Sequence, residues 1–111
     1  MIYLSIAAGA AFGGVLRFLL STRLPLPFPW ATFAVNLLGG LLIGWFANRF
    51  PGEARYFWIT GFCGGFTTFS AYSLETVRLL EQGNYGQAIA YVLASATLCV
   101  AAAAATFWIT K

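Results

Sequence analysis

GFCGGFTTFSAYS, residues 61–73, joins two adjacent glycines to five hydroxyl-bearing side chains inside a strongly apolar segment. The segment around it is long enough to cross a bilayer, for which a helix needs about 20 apolar residues. Backbone polar groups in hydrocarbon have no water to bond, so an irregular stretch is tolerated only inside protein or facing a wet cavity. The stretch therefore indicates a lined polar site. The alternative is a packed helix whose Thr and Ser side chains bond carbonyls one turn earlier.

The composition indicates a membrane protein of one domain, residues 1–111. Of the 111 residues, 60% are hydrophobic and 8% are charged, whereas soluble domains carry about 25% charged residues. The net charge of +3 has no basic cluster, which disfavours nucleic acid as a partner. The chain has no His, and no acidic residue precedes Glu53. Metal clusters and nucleophile–base pairs need such groups, so we expect no enzyme.

Hydropathy predicts four transmembrane helices, at about 2–20, 30–50, 55–80 and 87–110. Prolines at 25, 27 and 29, the pair Pro51–Gly52 and the turn EQGNYG separate them. Basic residues do not favour either side of the membrane, since three lie on each: Arg49, Arg55 and Lys111 opposite Arg17, Arg23 and Arg78. Either the short loops carry too few charges to decide, or the chain inserts both ways and pairs antiparallel.

Polar residues share helix faces with small ones. Asn36, Gly40 and Gly44 are spaced four apart, as are Tyr91, Ser95 and Cys99. Each set alone is typical of hydrogen bonds between packed helices. Together with the third span, they are also consistent with the lining of a pathway.

The third span carries the most specific pattern. Gly64 and Gly65 can adopt conformations that break a helix, and the hydroxyls of Thr67, Thr68 and Ser70 can bond the freed groups. Carbonyls released at such a break coordinate small cations, while helix N-termini and hydroxyls favour anions.

Three motifs together resemble one family: GFCGGFTTFSAYSLE at 61–75, AVNLLGG at 34–40 and GGVLRFLL at 13–20. They are similar to the small fluoride-channel family, Fluc or CrcB, in the same order over almost the whole chain. The resemblance implies an all-α membrane protein with four transmembrane helices per chain, the third broken near its middle. It also implies an antiparallel, dual-topology homodimer in the lipid bilayer of a bacterial inner membrane, with multi-pass chains. Its function would be passive fluoride export that relieves fluoride toxicity.

The resemblance also implies roles for individual residues. The carbonyls of Gly64 and Thr67 would hold a structural sodium ion at the dimer centre. The fluoride pore would include Asn36, Thr68, Phe69, Ser70, Tyr72, Ser73, Tyr91 and Ser95. Tyr72 departs from the phenylalanine that the family most often has there, and it adds a hydroxyl donor to the ring edge. Arg17 and Glu75 would set the electrostatics of the mouth and vestibule.

Two other functions fit a chain of this kind. A small multidrug transporter shares the length, span count and dual topology, but proton-coupled cation export needs an intramembrane carboxylate, and the first two spans have none. A non-conducting subunit of a membrane bundle is the second alternative. Packing alone would not require polar residues aligned on three spans, which argues against it.

Overall fold

The computed structural model describes all 111 residues, and its regular structure is entirely helical. We number the helices in chain order. The third helix, α3, starts as a π-helical segment and ends in one α-helical turn. The elements are α1 (Ile2–Arg23), α2 (Trp30–Arg49), α3 (π-helical Tyr56–Cys63, then Gly64–Phe66), α4 (Phe69–Glu81) and α5 (Tyr85–Thr110).

The connections follow from local chemistry. Leu24 and Phe50, which end α1 and α2, each precede a proline and have extended or non-helical backbones, because the proline ring disfavours the helical conformation of the residue before it. Gly52 and Gly83 have φ of 67° and 81°, values that glycine adopts without a steric penalty. These glycines lie in the turns before α3 and before α5.

Helices α1, α2 and α5 are each long and apolar enough to cross a membrane. This observation confirms the predicted class, an all-α membrane protein. Helices α3 and α4 are each shorter than the about 17 residues that a spanning helix needs.

Glycines bring α1 and α3 into backbone contact. A Cβ atom added to Gly13 would collide with the Phe62 carbonyl oxygen, and one added to Gly65 would lie 2.5 Å from the Ala10 oxygen. Gly9 and Gly61 meet at the same interface. Small residues of this spacing let helix backbones approach closely in a membrane. We call Gly9, Gly13, Gly61 and Gly65 the glycine seam.

Helix α2 packs along α5 through a second pair of glycines. A Cβ atom on Gly40 would lie 2.6 Å from the Cys99 oxygen, and one on Gly44 would collide with the Ala103 oxygen. Gly39 leaves room for the methyl group of Thr67. These contacts fix α2 against both α5 and the end of α3.

Aromatic side chains form the core between α2 and α3. Phe46, Phe62 and Phe66 are buried, and the rings of Phe62 and Phe66 stack with centroids 5.5 Å apart. Trp58 packs against this cluster. Burial of these rings anchors α3 against α2.

The helical path is interrupted at Thr67 and Thr68, which have φ/ψ of −86°/157° and −145°/122°. We call these two residues the break. The two glycines, which could have broken the helix, remain helical. Gly64 has helical angles, −62°/−36°, and Gly65 lies within the last helical turn. Within that turn Gly65 packs against α1, where a Cβ atom would lie 2.5 Å from the Ala10 oxygen.

Candidate functional site

Asn36 of α2 binds the break through both ends of its amide group. Its Nδ2 donates to the Thr68 carbonyl at 3.1 Å, and its Oδ1 accepts from the Thr68 N–H at 2.9 Å. Only one orientation of the amide satisfies both partners, since an N–H can only donate and a carbonyl can only accept. The side chain thereby holds the extended backbone in place.

Thr68 also caps the helix that follows it. Its Oγ1 accepts a hydrogen bond from the Ala71 N–H at 3.1 Å, the usual role of an N-cap hydroxyl, and lies 3.3 Å from the Ser70 Oγ. Thr67 behaves differently, because its hydroxyl donates to the Cys63 carbonyl at 2.9 Å. The alternative of hydroxyls that bond back by one turn therefore describes Thr67 and not Thr68.

A groove of about 430 Å³ runs beside the break. It brings together residues from α2, the break, α4 and α5 that the sequence assigned to a pore: Asn36, Thr68, Phe69, Tyr72 and Ser95. Phe69 is 79% exposed. The Ser95 Oγ is buried without any hydrogen-bond partner, and an unpaired buried hydroxyl costs free energy. The groove thus combines an aromatic ring with polar groups that have spare capacity for a ligand.

A second cavity, of about 270 Å³, holds the two residues assigned to the mouth, Arg17 and Glu75. The Arg17 Nε donates to the Gly65 carbonyl at 3.2 Å. Thr68 lines both the cavity and the groove. The break therefore separates a charged cavity from a mostly apolar groove.

Glu75 accepts two hydrogen bonds from neighbouring helices. Thr32 Oγ1 donates to its Oε2 at 2.9 Å, and the Tyr91 hydroxyl donates to its Oε1 at 3.0 Å. Tyr91 is fully buried, and it does not line the groove. Thr32 was not among the predicted site residues, although it lies one helical turn before Asn36 on the same helix face.

The remaining predicted pore residues lie outside both cavities. Ser70 is exposed and contacts only Thr68 through its hydroxyl, while Ser73 is half-buried on α4. Cys63 and Cys99 are free thiols at the groove.

Three helices long and apolar enough to span a membrane, with a mostly apolar groove that carries a few polar groups, define a small α-helical membrane protein. The family model described as CrcB-like protein, Camphor Resistance (CrcB), matches residues 4–107, and the chain belongs to this family. The family that three short motifs predicted is therefore confirmed.

Several relatives share most of the chain. A protein of Nitrobacter winogradskyi named fluoride-specific ion channel FluC is 44% identical over 109 residues, which cover 89% of this chain and 86% of the relative. A protein of the same name from Agrobacterium fabrum is 46% identical over 107 residues, 87% of this chain and 86% of the relative. The FluC protein of Opitutus terrae is 42% identical over 113 residues, which cover 91% of this chain and 86% of the relative.

Proposed function

We propose that this chain is a fluoride-specific ion channel that lets fluoride leave the cell passively. The observation that carries the proposal is the groove at the break, which combines the Phe69 ring with donors from Asn36 and Ser95. The names of the relatives, which match nearly the whole chain, support the same function. A negative-inside potential drives an anion outward with about 2.3 kcal/mol per 100 mV. Passive conduction needs no catalytic residue, so the protein is not an enzyme.

The chemistry of the groove suits a small, strongly hydrated anion. A pore must replace the water that fluoride holds with several close donors. One hydrogen of the Asn36 amide is committed to Thr68, and the second is available to an ion. Ser95 has an unpartnered hydroxyl, and the edges of aromatic rings are electropositive.

In the membrane, α3 and α4 together form the third of four spans, interrupted at Thr67 and Thr68. The Thr68 N–H and carbonyl are bonded by Asn36, and the Thr67 N–H bonds the Cys63 carbonyl. Irregular backbone at membrane depth requires internal partners of this kind. The four spans are those of a multi-pass protein of the bacterial inner membrane, a location that the bacterial relatives support.

The pore is completed by a second copy in the antiparallel orientation. The groove carries polar groups on an open face, beside the 79% exposed Phe69, and such groups are costly to expose to lipid. A Cβ atom on Gly64 would meet nothing within 4 Å, which leaves room for a partner. The balance of three basic residues on each side permits both orientations.

A structural sodium ion fits the carbonyls of Gly64 and Thr67. In an unbroken helix each carbonyl accepts the N–H four residues further on. The Thr68 N–H instead bonds Asn36, and the Ala71 N–H bonds the Thr68 hydroxyl. Carbonyls released in this way are suitable ligands for a small cation. When bound, sodium would supply positive charge at the break, between the two subunits.

Fluoride efflux from liposomes tests the channel. Vesicles that contain the purified protein should release fluoride rapidly once a potassium ionophore cancels the voltage, and they should release chloride far more slowly. Ion-selective electrodes in the outer solution record the release of fluoride and of chloride. Release no faster than from protein-free vesicles would overturn the proposal, and proton-coupled uptake of organic cations instead would favour the multidrug alternative.

Reporter fusions test the antiparallel pairing. A reporter after Lys111 should appear on both sides of the membrane in comparable amounts. Two or three added lysines beside Lys111 should fix one orientation and lower activity, because antiparallel pairs become scarce. A single orientation of the unmodified chain would contradict the dual-topology dimer and the sodium site at its centre.

A further inference from the structure

We propose that Asn36 and Thr68 are positioning residues that hold the Gly64 and Thr67 carbonyls open for a cation. They do so by accepting the N–H groups of Thr68 and Ala71, which in an unbroken helix would donate to those two carbonyls. The inference rests on the sodium site of the proposed function, and it assigns to Asn36 a task distinct from contact with the permeating anion.

Asn36 acts on the first carbonyl. The N–H that an unbroken helix would send to Gly64 belongs to Thr68, and Asn36 Oδ1 accepts it at 2.9 Å. The same amide holds the Thr68 carbonyl at 3.1 Å. Because both polar groups of Thr68 are bonded to α2, its backbone stays extended and its N–H cannot return to Gly64.

The Thr68 side chain acts on the second carbonyl. The N–H that an unbroken helix would send to Thr67 belongs to Ala71. The Thr68 Oγ1 accepts that N–H at 3.1 Å as the cap of α4. Because this N–H is bonded to the cap, it does not bond the Thr67 carbonyl, which stays open.

Side chains also decide which carbonyls are not available. Arg17 Nε donates to the Gly65 carbonyl at 3.2 Å, and Asn36 Nδ2 occupies that of Thr68. Of the carbonyls of residues 64, 65, 67 and 68, two are therefore bonded by side chains from α1 and α2. The other two, at positions 64 and 67, are those that the proposed sodium site uses.

A positioning role for Asn36 and Thr68 predicts an effect on sodium binding, which a role limited to contact with the anion does not predict. Loss of either positioning group should let an N–H compete with the cation for a carbonyl. A net hydrogen bond contributes about 1 kcal/mol, and about 1.4 kcal/mol corresponds to tenfold in an equilibrium constant, so we expect the sodium concentration for half-maximal effect to rise about fivefold.

The test measures sodium binding through stability and does not depend on transport. The thermal unfolding midpoint of the detergent-solubilised protein is followed while sodium replaces N-methylglucamine at constant ionic strength. The variants are Asn36→Ala and Thr68→Val, with Thr68→Ser as the conservative form that keeps the capping oxygen. The matched controls are Thr97→Val, an exposed threonine whose hydroxyl bonds Leu93 within α5, and Ser95→Ala in the groove.

We expect Asn36→Ala and Thr68→Val to require more sodium, while Thr68→Ser and both controls stay within about twofold of the unmodified protein. Ser95→Ala should lower fluoride efflux without changing the sodium requirement. An unchanged requirement in Thr68→Val overturns the inference even if Asn36→Ala fails to fold. An unmodified protein that conducts fluoride without any sodium stabilisation overturns the inference and the sodium site, and leaves the channel standing. Absence of fluoride conduction overturns the proposed function instead.

Discussion

The glycine seam and the break lie within a few residues of each other and solve opposite problems. At the seam the backbones of α1 and α3 are helical and touch through Gly13 and Gly65, with no side chain between them. At the break the backbone is extended, and Asn36 and Thr68 bond the groups that the helix no longer does. In this protein, glycine therefore allows two helix backbones to touch. Hydroxyl and amide side chains supply the hydrogen bonds that an interrupted helix needs inside a membrane.

The two adjacent glycines belong to different parts of this comparison. Gly65 belongs to the seam and contacts Ala10, while a Cβ on Gly64 would meet open space. Gly65 thus allows close packing of two helices within the chain, whereas Gly64 lies on the face that is left uncovered by the chain itself. Two glycine substitutions test this division, and two aromatic substitutions test the groove beside the break. The four are ordered from the largest expected effect to the smallest.

Gly65→Val should have the largest effect, because it places bulk against a backbone atom. A Cβ at this position lies 2.5 Å from the Ala10 oxygen, and a backbone oxygen in a packed helix has little freedom to move. We expect a loss of about 3 kcal/mol in the free energy of unfolding, at the upper end for overpacking. Titration of the solubilised protein with a denaturing detergent measures the change in the free energy of unfolding. Gly86→Val, in open space at the start of α5, is the control, and equal stability of the two variants would contradict the seam.

Gly64→Val should leave the single chain folded and prevent dimer formation. A Cβ atom at this position meets no atom of its own chain within 4 Å, but the side chain would occupy the face that we assign to the partner and to sodium. Size-exclusion chromatography with light scattering should give a monomer mass, helical content by circular dichroism should be retained, and fluoride efflux should be lost. A stable dimer with normal efflux would remove this face from the interface.

Phe69→Ile should lower fluoride efflux by about tenfold or more. The change keeps apolar bulk but removes the electropositive ring edge, and a loss of about 1.36 kcal/mol of stabilisation along the pathway corresponds to tenfold in rate. Phe18→Ile on α1, also exposed at 61% but away from the groove, should conduct normally. Efflux from liposomes decides, and equal rates for the two variants would place the pathway elsewhere.

Tyr72→Phe should have the smallest effect, a decrease in efflux of about two- to tenfold. The ring stays in place beside Phe69 and Tyr91, with centroids 5.5 and 5.1 Å away, and only one hydroxyl donor is lost. Tyr3→Phe, 87% exposed near the start of α1, is the control. An increase in efflux would mean that the hydroxyl retains the ion and does not assist it.

The sequence by itself determined the class and the family of the protein. An excess of apolar residues with so few charges can be stable only in a membrane, and this holds whatever the packing. Motifs that are continuous in sequence identified the family, and Asn36, Phe69, Tyr72 and Ser95 do meet in one groove. Thr32 was within reach of the same reasoning, because its position relative to Asn36 follows from helical periodicity.

Only the tertiary structure decided how the polar groups are used. A glycine pair is compatible with a break and with close packing, and the approach of α1 selects packing for Gly65. A hydroxyl or amide can bond its own helix or a neighbour, and the neighbour depends on which helix lies against it. Thus Tyr91, which shares a face with Ser95, gives its hydroxyl to Glu75, and Asn36 holds the break. These choices depend on distances between separate helices, which no local pattern in the chain contains.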